Sequence, residues 1–215
     1  MATVTRDVIV QLIEENRWTE RAKSLERLAT RFVEGGLGMA EWHAITDAFR
    51  VALYDGEPLV RRVLAETVKF AADLPRDILL SLAGDSAAVA APVLEHSPAL
   101  HEKDLLSIAQ RGSKAHRFAI AGRRGVSERV AERLCRHGET SVTLRLLDND
   151  HALLSDAVLH ALLDAFPNDS VIAEAIAGRR LLPVTVGARL LGGETRDTAE
   201  RTALRLVWDR TGSLG

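Results

Sequence analysis

A repeat of 26 to 28 residues runs through the chain from residue 74 onward. Each unit begins with an apolar residue followed by Pro, His or Ser, and the units begin at Leu74, Leu100, Val126, Leu154 and Leu182. Apolar residues recur eight positions after each start, at Leu82, Ile108, Leu134, Leu162 and Leu190. Offsets of four and eight share one face of an α-helix. The pattern therefore predicts one buried helical face per unit.

The offset of four is less regular. Its residues are Ile78, Asp104, Val130, Val158 and Val186. Asp104 breaks the apolar rule, and we expect the neighbouring Leu105 to be buried in its place. Ser127 and Ser155 follow the unit starts and suit helix N-caps, whereas Pro75 and Pro183 suit the first helical position.

Each unit also contains a second short helix, preceded by Gly, Asn or Pro. These segments run over residues 89–94, 118–121, 142–147 and 171–176. Two short helices cannot bury their apolar faces alone, and stacking successive pairs solves this problem. The sequence predicts an all-α fold, an α-α superhelix forming a right-handed α-solenoid of about 12–14 helices.

The flanking regions are predicted to cap this stack. Residues 1–73 contain apolar stripes at longer periods, and no flexible linker separates them from the repeats. We interpret 1–73 as an N-terminal helical cap continuous with the repeats, 74–193 as the repeats, and 194–215 as a C-terminal capping helix. The N-terminal stripes are Val8–Ile9–Leu12–Ile13, Leu25–Leu28–Ala29–Phe32, Met39–Trp42–Ile45–Phe49 and Leu59–Val63–Val68–Phe70.

Composition excludes several classes of protein. Aromatic residues make up only 4% of the 215 residues, which argues against a β-sandwich or barrel. The single Cys135 excludes a disulfide framework within the chain and fits a reducing cytoplasm. The longest run without Asp, Glu, Lys or Arg is nine residues, Ser86–Leu94, too short for a membrane span. We expect a cytoplasmic protein without membrane contact.

Residues with reactive side chains do not form a recognisable catalytic pattern. Cys135 lies at a core-facing position of its unit, so we interpret it as a small buried apolar residue. His96, His101 and Asp104 are close in sequence but lack the i, i+4 spacing of helical metal ligands. The sequence contains no phosphate-binding loop and no nucleophile elbow. We predict no catalytic residue, no metal and no cofactor, and therefore no enzymatic activity.

Charge is the most informative functional signal. The net charge is −2, but the segment from Arg111 to His137 carries eight Lys or Arg and two Glu. The motif Ile-Ala-Gly-Arg-Arg occurs at 120–124 and again at 176–180, two units later. In a stacked array these turns line up along one edge. The residues predicted to bind a partner there are Arg117, Arg123, Arg124, Asn149, Arg179 and Arg180.

Two explanations of these arginines remain open. Arginine near a helix C-terminus hydrogen-bonds the last carbonyls and meets the negative end of the helix dipole. Alternatively, the arginines line a groove that binds an acidic or phosphorylated peptide through bidentate contacts.

The stretch from Pro58 to about Ser155 resembles a family of bacterial proteins of unknown function that is widespread in alphaproteobacteria. The residues that carry the resemblance are 58–62, 82–85, 89–98, 104–108 and 116–123. The family implies helical repeats akin to the HEAT and leucine-rich-variant types, and hence HEAT-like helix pairs here. It implies no known chemistry.

Three function classes follow from these observations. The preferred hypothesis is a non-catalytic interaction module, a scaffold or regulatory adaptor that binds an acidic or phosphorylated protein partner. The alternative is a HEAT-like nucleic-acid-binding or alkylated-DNA-repair protein, which the acidic flanks of the basic segment disfavour. An enzyme using Cys135, His116 or His137 is the third. The oligomeric state stays open, with a homodimer as one option.

Overall fold

The computed structural model describes residues 14–192. Within that range the chain forms twelve α-helices and no β-strand. The helices are α1 Trp18–Glu34, α2 Met39–Ala52, α3 Pro58–Val68, α4 Arg76–Ala83, α5 Ala87–His96, α6 Glu102–Arg111, α7 Lys114–Ala121, α8 Glu128–Cys135, α9 Thr140–Leu147, α10 Asp156–Ala165, α11 Ser170–Ala177 and α12 Val184–Gly192. The expectation of an all-α fold is confirmed for this part of the chain.

The helices alternate between two rows. The odd row contains α1, α3, α5, α7, α9 and α11, each of which packs on the next odd helix. In the even row, α6, α8, α10 and α12 pack on one another in the same way. Ion pairs join α2 to α4 (Arg50–Asp77, 2.7 Å) and α4 to α6 (Arg76–Asp104, 2.5 Å). Each even helix from α2 to α10 also contacts the odd helix that follows it, and α12 contacts α11 before it.

The core lies between the two rows. One cluster of buried apolar residues extends without interruption from Ala22 to Ala152, and a smaller one extends from Leu147 to Val186. Of the residues at the offset of eight, Leu82, Leu134 and Leu162 are buried. Ile108 and Leu190 are half-buried and pack against the two clusters.

The exception at Asp104 has a structural explanation. Leu105 is buried, as expected, but Asp104 is buried beside it. The Asp104 carboxylate accepts hydrogen bonds from the Arg76 guanidinium and from the backbone N–H of His101, at 2.5 and 3.0 Å. A polar residue is therefore tolerated at a core-facing position because its oxygens are bonded.

The helix beginnings follow the capping chemistry of the sequence. Ser127 and Ser155 accept hydrogen bonds from the backbone N–H groups of Val130 and Val158. Pro75 stands one position before the first residue of α4 rather than at it.

Two predicted stripes were only partly right. In the stripe of α2, Ile45 and Phe49 are buried but Met39 is 79% exposed. In the stripe of α3, Val68 is buried and Val63 packs against the core, whereas Leu59 is 45% exposed and Phe70, beyond the helix end, is 64% exposed. Leu59 is adjacent to the buried Val60, and two adjacent apolar residues do not define which side of a helix is buried. The stripe Val8–Ile13 and the capping helix predicted at 194–215 lie outside the described residues.

Candidate interaction surface

Most of the basic segment is engaged within the molecule. Arg129 and Arg136 form ion pairs with Glu102 and Glu132, at 3.1 and 2.6 Å. Arg111 donates a hydrogen bond to the hydroxyl of Ser107. The positive charge concentrated in this segment is thus partly neutralised by acidic residues from neighbouring turns.

Arg117 forms a bidentate ion pair. Its Nε and Nη2 donate to the two carboxylate oxygens of Glu139, both at 2.6 Å, and its Nη1 donates to the carbonyl of Gly112 at 2.5 Å. The pairing with Glu139 raises the pKa of Arg117, and the Arg117 guanidinium lowers the pKa of Glu139. This guanidinium is buried, and it donates its hydrogen bonds to groups of the same chain.

The Arg117 pair belongs to a series along the odd row. Arg21, Arg61 and Arg117 are each the fourth residue of an odd helix. Each binds an acidic residue in the turn before the next odd helix: Arg21 binds Asp55, Arg61 binds Asp85, and Arg117 binds Glu139. We call these three pairs the turn ion pairs. A search of the sequence by helix position, rather than by charge density, would have found them.

Arg123 caps the end of another helix. Its guanidinium is buried and donates to the carbonyl oxygens of Leu94, at 3.1 Å, and of Ser97. Both carbonyls are at the C-terminal end of α5, one unit earlier in the chain. Desolvation lowers the pKa of Arg123.

Asn149 and Arg179 repeat this arrangement in the following units. The Asn149 amide donates to the carbonyls of Ala121 and Arg123, at 2.9 and 2.8 Å. Arg179 donates to the carbonyls of Leu147 and Ala152, at 2.7 and 3.2 Å. Burial lowers the pKa of Arg179, while nearby Asp150 favours its charged form.

We call Arg123, Asn149 and Arg179 the carbonyl ladder. Each side chain hydrogen-bonds carbonyls at the C-terminal end of the preceding odd helix rather than of its own. These polar groups satisfy helix-end acceptors that would otherwise lack partners. The three side chains lie along one edge, as the repeat spacing predicted, with their donors directed at main-chain oxygens.

Arg124 and Arg180 differ from the other predicted site residues. Both are exposed, and neither has a hydrogen bond or an ion pair with any residue between 14 and 192. Each directly follows a ladder arginine, so both lie along the same edge, two units apart. Asp150, also exposed, occupies the corresponding place in the unit between them.

The odd row also presents a largely exposed face. The second residues of the odd helices from α3 to α11 are exposed in four of five helices: Leu59, Ala88, Ala115 and Val171. The fifth, Ser141, is half-buried, and its buried hydroxyl has no hydrogen-bond partner within residues 14–192. One turn further on, the fifth residues are Arg62, Ala91, Phe118, Leu144 and Glu174. We call these two sets the odd-row face. Its side chains are mainly small or apolar.

An ion pair crosses this face. Arg145 in α9 donates from Nη2 to a carboxylate oxygen of Glu95 in α5, at 2.9 Å, across the intervening α7. The Arg145 guanidinium carbon lies 5.6 Å from the centre of the Phe118 ring, a cation–π distance. The sequence analysis did not single out Arg145, because one arginine in a helix gives no charge or spacing signal.

Two of the residues considered for chemistry lie at a helix beginning, and a third is a largely buried thiol. His101 and Asp104 form a reciprocal capping box at the start of α6. Burial, with a smaller effect of Glu132, raises the pKa of the Cys135 thiol to about 12. Within residues 14–192 no group of three or more His, Cys, Asp or Glu residues is placed to hold a metal ion. Every helix in this range is too short or too polar to span a bilayer.

Residues 89–207 match the sequence profile of a family described as an uncharacterised protein conserved in bacteria (DUF2336). The chain belongs to this family. The match covers more than half of the 215 residues. No curated protein and no solved structure matches the chain.

The position of the DUF2336 match corrects the sequence analysis. The resemblance was placed between Pro58 and about Ser155, whereas the match begins within α5 and continues beyond the described residues to 207. The segment after Leu182 thus belongs to the family region. The carbonyl ladder, Arg124, Arg180 and Arg145 all lie inside this region.

Proposed function

We propose that this member of the DUF2336 family is a non-catalytic helical-repeat interaction module, a cytoplasmic scaffold or regulatory adaptor that binds an acidic or phosphorylated protein partner. The observation that carries the proposal is the pair of exposed arginines, Arg124 and Arg180, on an edge whose other arginines are engaged internally. An exposed guanidinium without a partner is available for bidentate contact with a carboxylate or phosphate.

The proposal includes the architecture of the binding surface. We propose that the two rows form a right-handed α-solenoid of HEAT-like helix pairs, with the odd row on the concave side. The 2.9 Å contact between Arg145 and Glu95 joins side chains of α5 and α9 across α7, on the odd-row face. Solenoids commonly bind partners on such extended concave surfaces.

Charge reversal of the two exposed arginines tests the proposal. The full chain is screened against an array of acidic and phosphorylated peptides, together with the double variant Arg124→Glu/Arg180→Glu. We expect the double variant to bind the selected peptides at least about tenfold more weakly, because each lost charge-assisted hydrogen bond contributes about 1.5–3 kcal/mol.

The matched control is Lys103→Glu/Arg136→Glu. Both residues are exposed on the even row, and the two double variants have the same net charge. We expect the control to retain binding. The proposal fails if no peptide binds the native chain, or if both double variants lose binding equally.

Nucleic-acid binding is the competing proposal, and the structure offers it less support. Arg117, Arg123 and Arg129 all have internal partners, so phosphate contacts would require breaking existing hydrogen bonds. Retention of duplex or single-stranded DNA at low salt, lost steeply as salt increases, would favour this alternative.

A further inference from the structure

Two glycines in the odd row occupy equivalent places with different surroundings. Gly122 and Gly178 belong to the repeated motif Ile-Ala-Gly-Arg-Arg, 56 residues apart, and each is the residue that directly follows its helix. The guanidinium of Arg145 lies directly against Gly122. A Cβ atom at Gly122 would be 2.7 Å from Arg145 Nε and from Nη2, so any other residue here would displace the guanidinium from its present position.

Among residues 14–192, no side chain lies against Gly178. A Cβ atom there would approach only carbonyl oxygens of its own helix, the closer being that of Glu174 at 3.3 Å. Instead, Gly178 borders a cavity of about 500 Å³ between α9 and α11. The cavity is lined by Leu144, Leu147, Asp148, Asp150, Ala175, Gly178 and Arg179.

The same two aspartates lie beside both glycines. Asp148 and Asp150 line the Gly178 cavity and also the smaller depression beside Gly122 and Arg145. Both aspartates are exposed, and neither side chain has a hydrogen bond or an ion pair within residues 14–192. Glu174 is exposed and precedes Gly178 by four residues, the same separation that Phe118 has from Gly122. The open cavity thus has two carboxylates, of Asp148 and Asp150, and one guanidinium, that of Arg179, whose donors are directed at the carbonyls of Leu147 and Ala152.

We propose that the cavity at Gly178 binds an arginine side chain of a protein partner. The Gly122 site shows within the same molecule that this backbone geometry accepts a flat guanidinium. At Gly178 the apolar side chains of Leu144 and Leu147 suit the aliphatic part of an arginine, and Asp148 and Asp150 suit its charge. The site lies between Arg124 and Arg180, so a partner segment with a basic residue between acidic ones would match this edge.

The test uses the full chain and Nα-acetyl-arginine amide as the probe, with Nα-acetyl-lysine amide for comparison. We expect the arginine amide to shift the NMR signals of Gly178 and Ala175 and to bind at least about fivefold more tightly than the lysine amide, because a planar guanidinium offers a carboxylate two parallel donors and an ammonium does not. Gly178→Leu should remove this binding by filling the cavity.

The matched control for the cavity is Gly84→Leu. Gly84 also follows a helix, and a Cβ atom there would also lie 3.3 Å from a carbonyl of its own helix, that of Leu80. We expect Gly84→Leu to retain arginine binding. Asp148→Asn and Asp150→Asn should each weaken it by about two- to fivefold, the range of an exposed ion pair.

Two results would overturn the inference. One is the absence of any arginine-specific shift in the native chain. The other is arginine binding that appears only after Arg201→Ala, since Arg201, outside the described residues, follows Arg145 by the same 56 positions. These outcomes are independent of the acidic-partner proposal, because that proposal is tested with Arg124 and Arg180.

Discussion

At the scale of single residues, two adjacent arginines of one motif have opposite roles. Arg123 is buried against the carbonyls of Leu94 and Ser97, and Arg124 is exposed. Sequence analysis assigned both to the same candidate surface because they share a residue type and a position in the repeat. The backbone direction at the helix end decides which of these two side chains points toward the preceding odd helix.

This difference predicts unequal effects of alanine substitution. Arg123→Ala leaves two helix-end carbonyls without their donor, and we expect it to lower the free energy of unfolding by about 2–4 kcal/mol. Arg124→Ala should change it by less than about 0.5 kcal/mol, as is usual for exposed positions. Chemical denaturation of the full chain measures both. Equal effects of the two substitutions would contradict the assigned role of Arg123.

At the scale of helices, the turn ion pairs connect one odd helix to the turn before the next. The Arg61–Asp85 pair is nearly enclosed, with 14% and 15% of the two side chains exposed, and Arg61 also donates to the carbonyl of Asp55. Breaking such a pair leaves an uncompensated charge in a poorly solvated place. Removing one partner of such a pair is therefore expected to cost more than removing one partner of an ordinary surface ion pair.

Neighbouring residues in α3 provide a test with an internal control. We expect Arg61→Ala to lower the free energy of unfolding by about 2–4 kcal/mol, since a carboxylate and a carbonyl lose their partner. Arg62→Ala should cost less than about 0.5 kcal/mol, because Arg62 is half exposed and lies 3.8 Å from Glu66. The two variants are compared by the midpoints of their chemical denaturation curves. A similar loss in both variants would refute the role given to the Arg61 pair.

The same pairs predict how stability depends on pH. The Arg61 guanidinium lowers the pKa of Asp85, and the Arg117 guanidinium lowers that of Glu139. A carboxylate with a depressed pKa stabilises the fold above its unfolded-state pKa, and this contribution is lost as the pH falls through the folded-state value. We expect stability to decrease below about pH 4, and to decrease less steeply in Asp85→Asn. Parallel pH profiles of the two proteins would contradict this expectation.

At the scale of the whole molecule, the packing is uneven along the chain. The main buried cluster extends from Ala22 to Ala152, whereas the smaller cluster contains six fully buried residues from Leu147 to Val186. The turn ion pairs also stop before α10. The fourth residue of α9 is Thr143, whose buried hydroxyl has no hydrogen-bond partner among residues 14–192. Asp169 instead caps its own helix.

The decrease in buried packing toward α12 predicts which helices open first in local unfolding. A region with fewer buried apolar contacts opens at a lower free energy and therefore opens first. We expect the backbone amides of α10 and α11 to exchange hydrogen faster than those of α5 and α7, as measured by hydrogen–deuterium exchange of the full chain. Uniform protection across these four helices would argue against the gradient.

The sequence predicted the helices better than it predicted the surface. The repeat identified buried positions such as Ile78 and Leu134, because burial imposes a regular spacing on apolar residues. It did not identify Arg145, and it grouped Arg117 and Arg123 with exposed arginines. Those roles depend on contacts between units, where the partner is a carboxylate or a carbonyl 22 to 50 residues away. Linear patterns do not contain that information.

The carbonyl ladder has an evolutionary consequence. Arg123, Asn149 and Arg179 recognise oxygens of the main chain, which every amino acid supplies. Side chains on the exposed faces of the helices are therefore free to diverge without disturbing the register between units. Descendants of one such scaffold could acquire different ligands while conserving their stacking geometry.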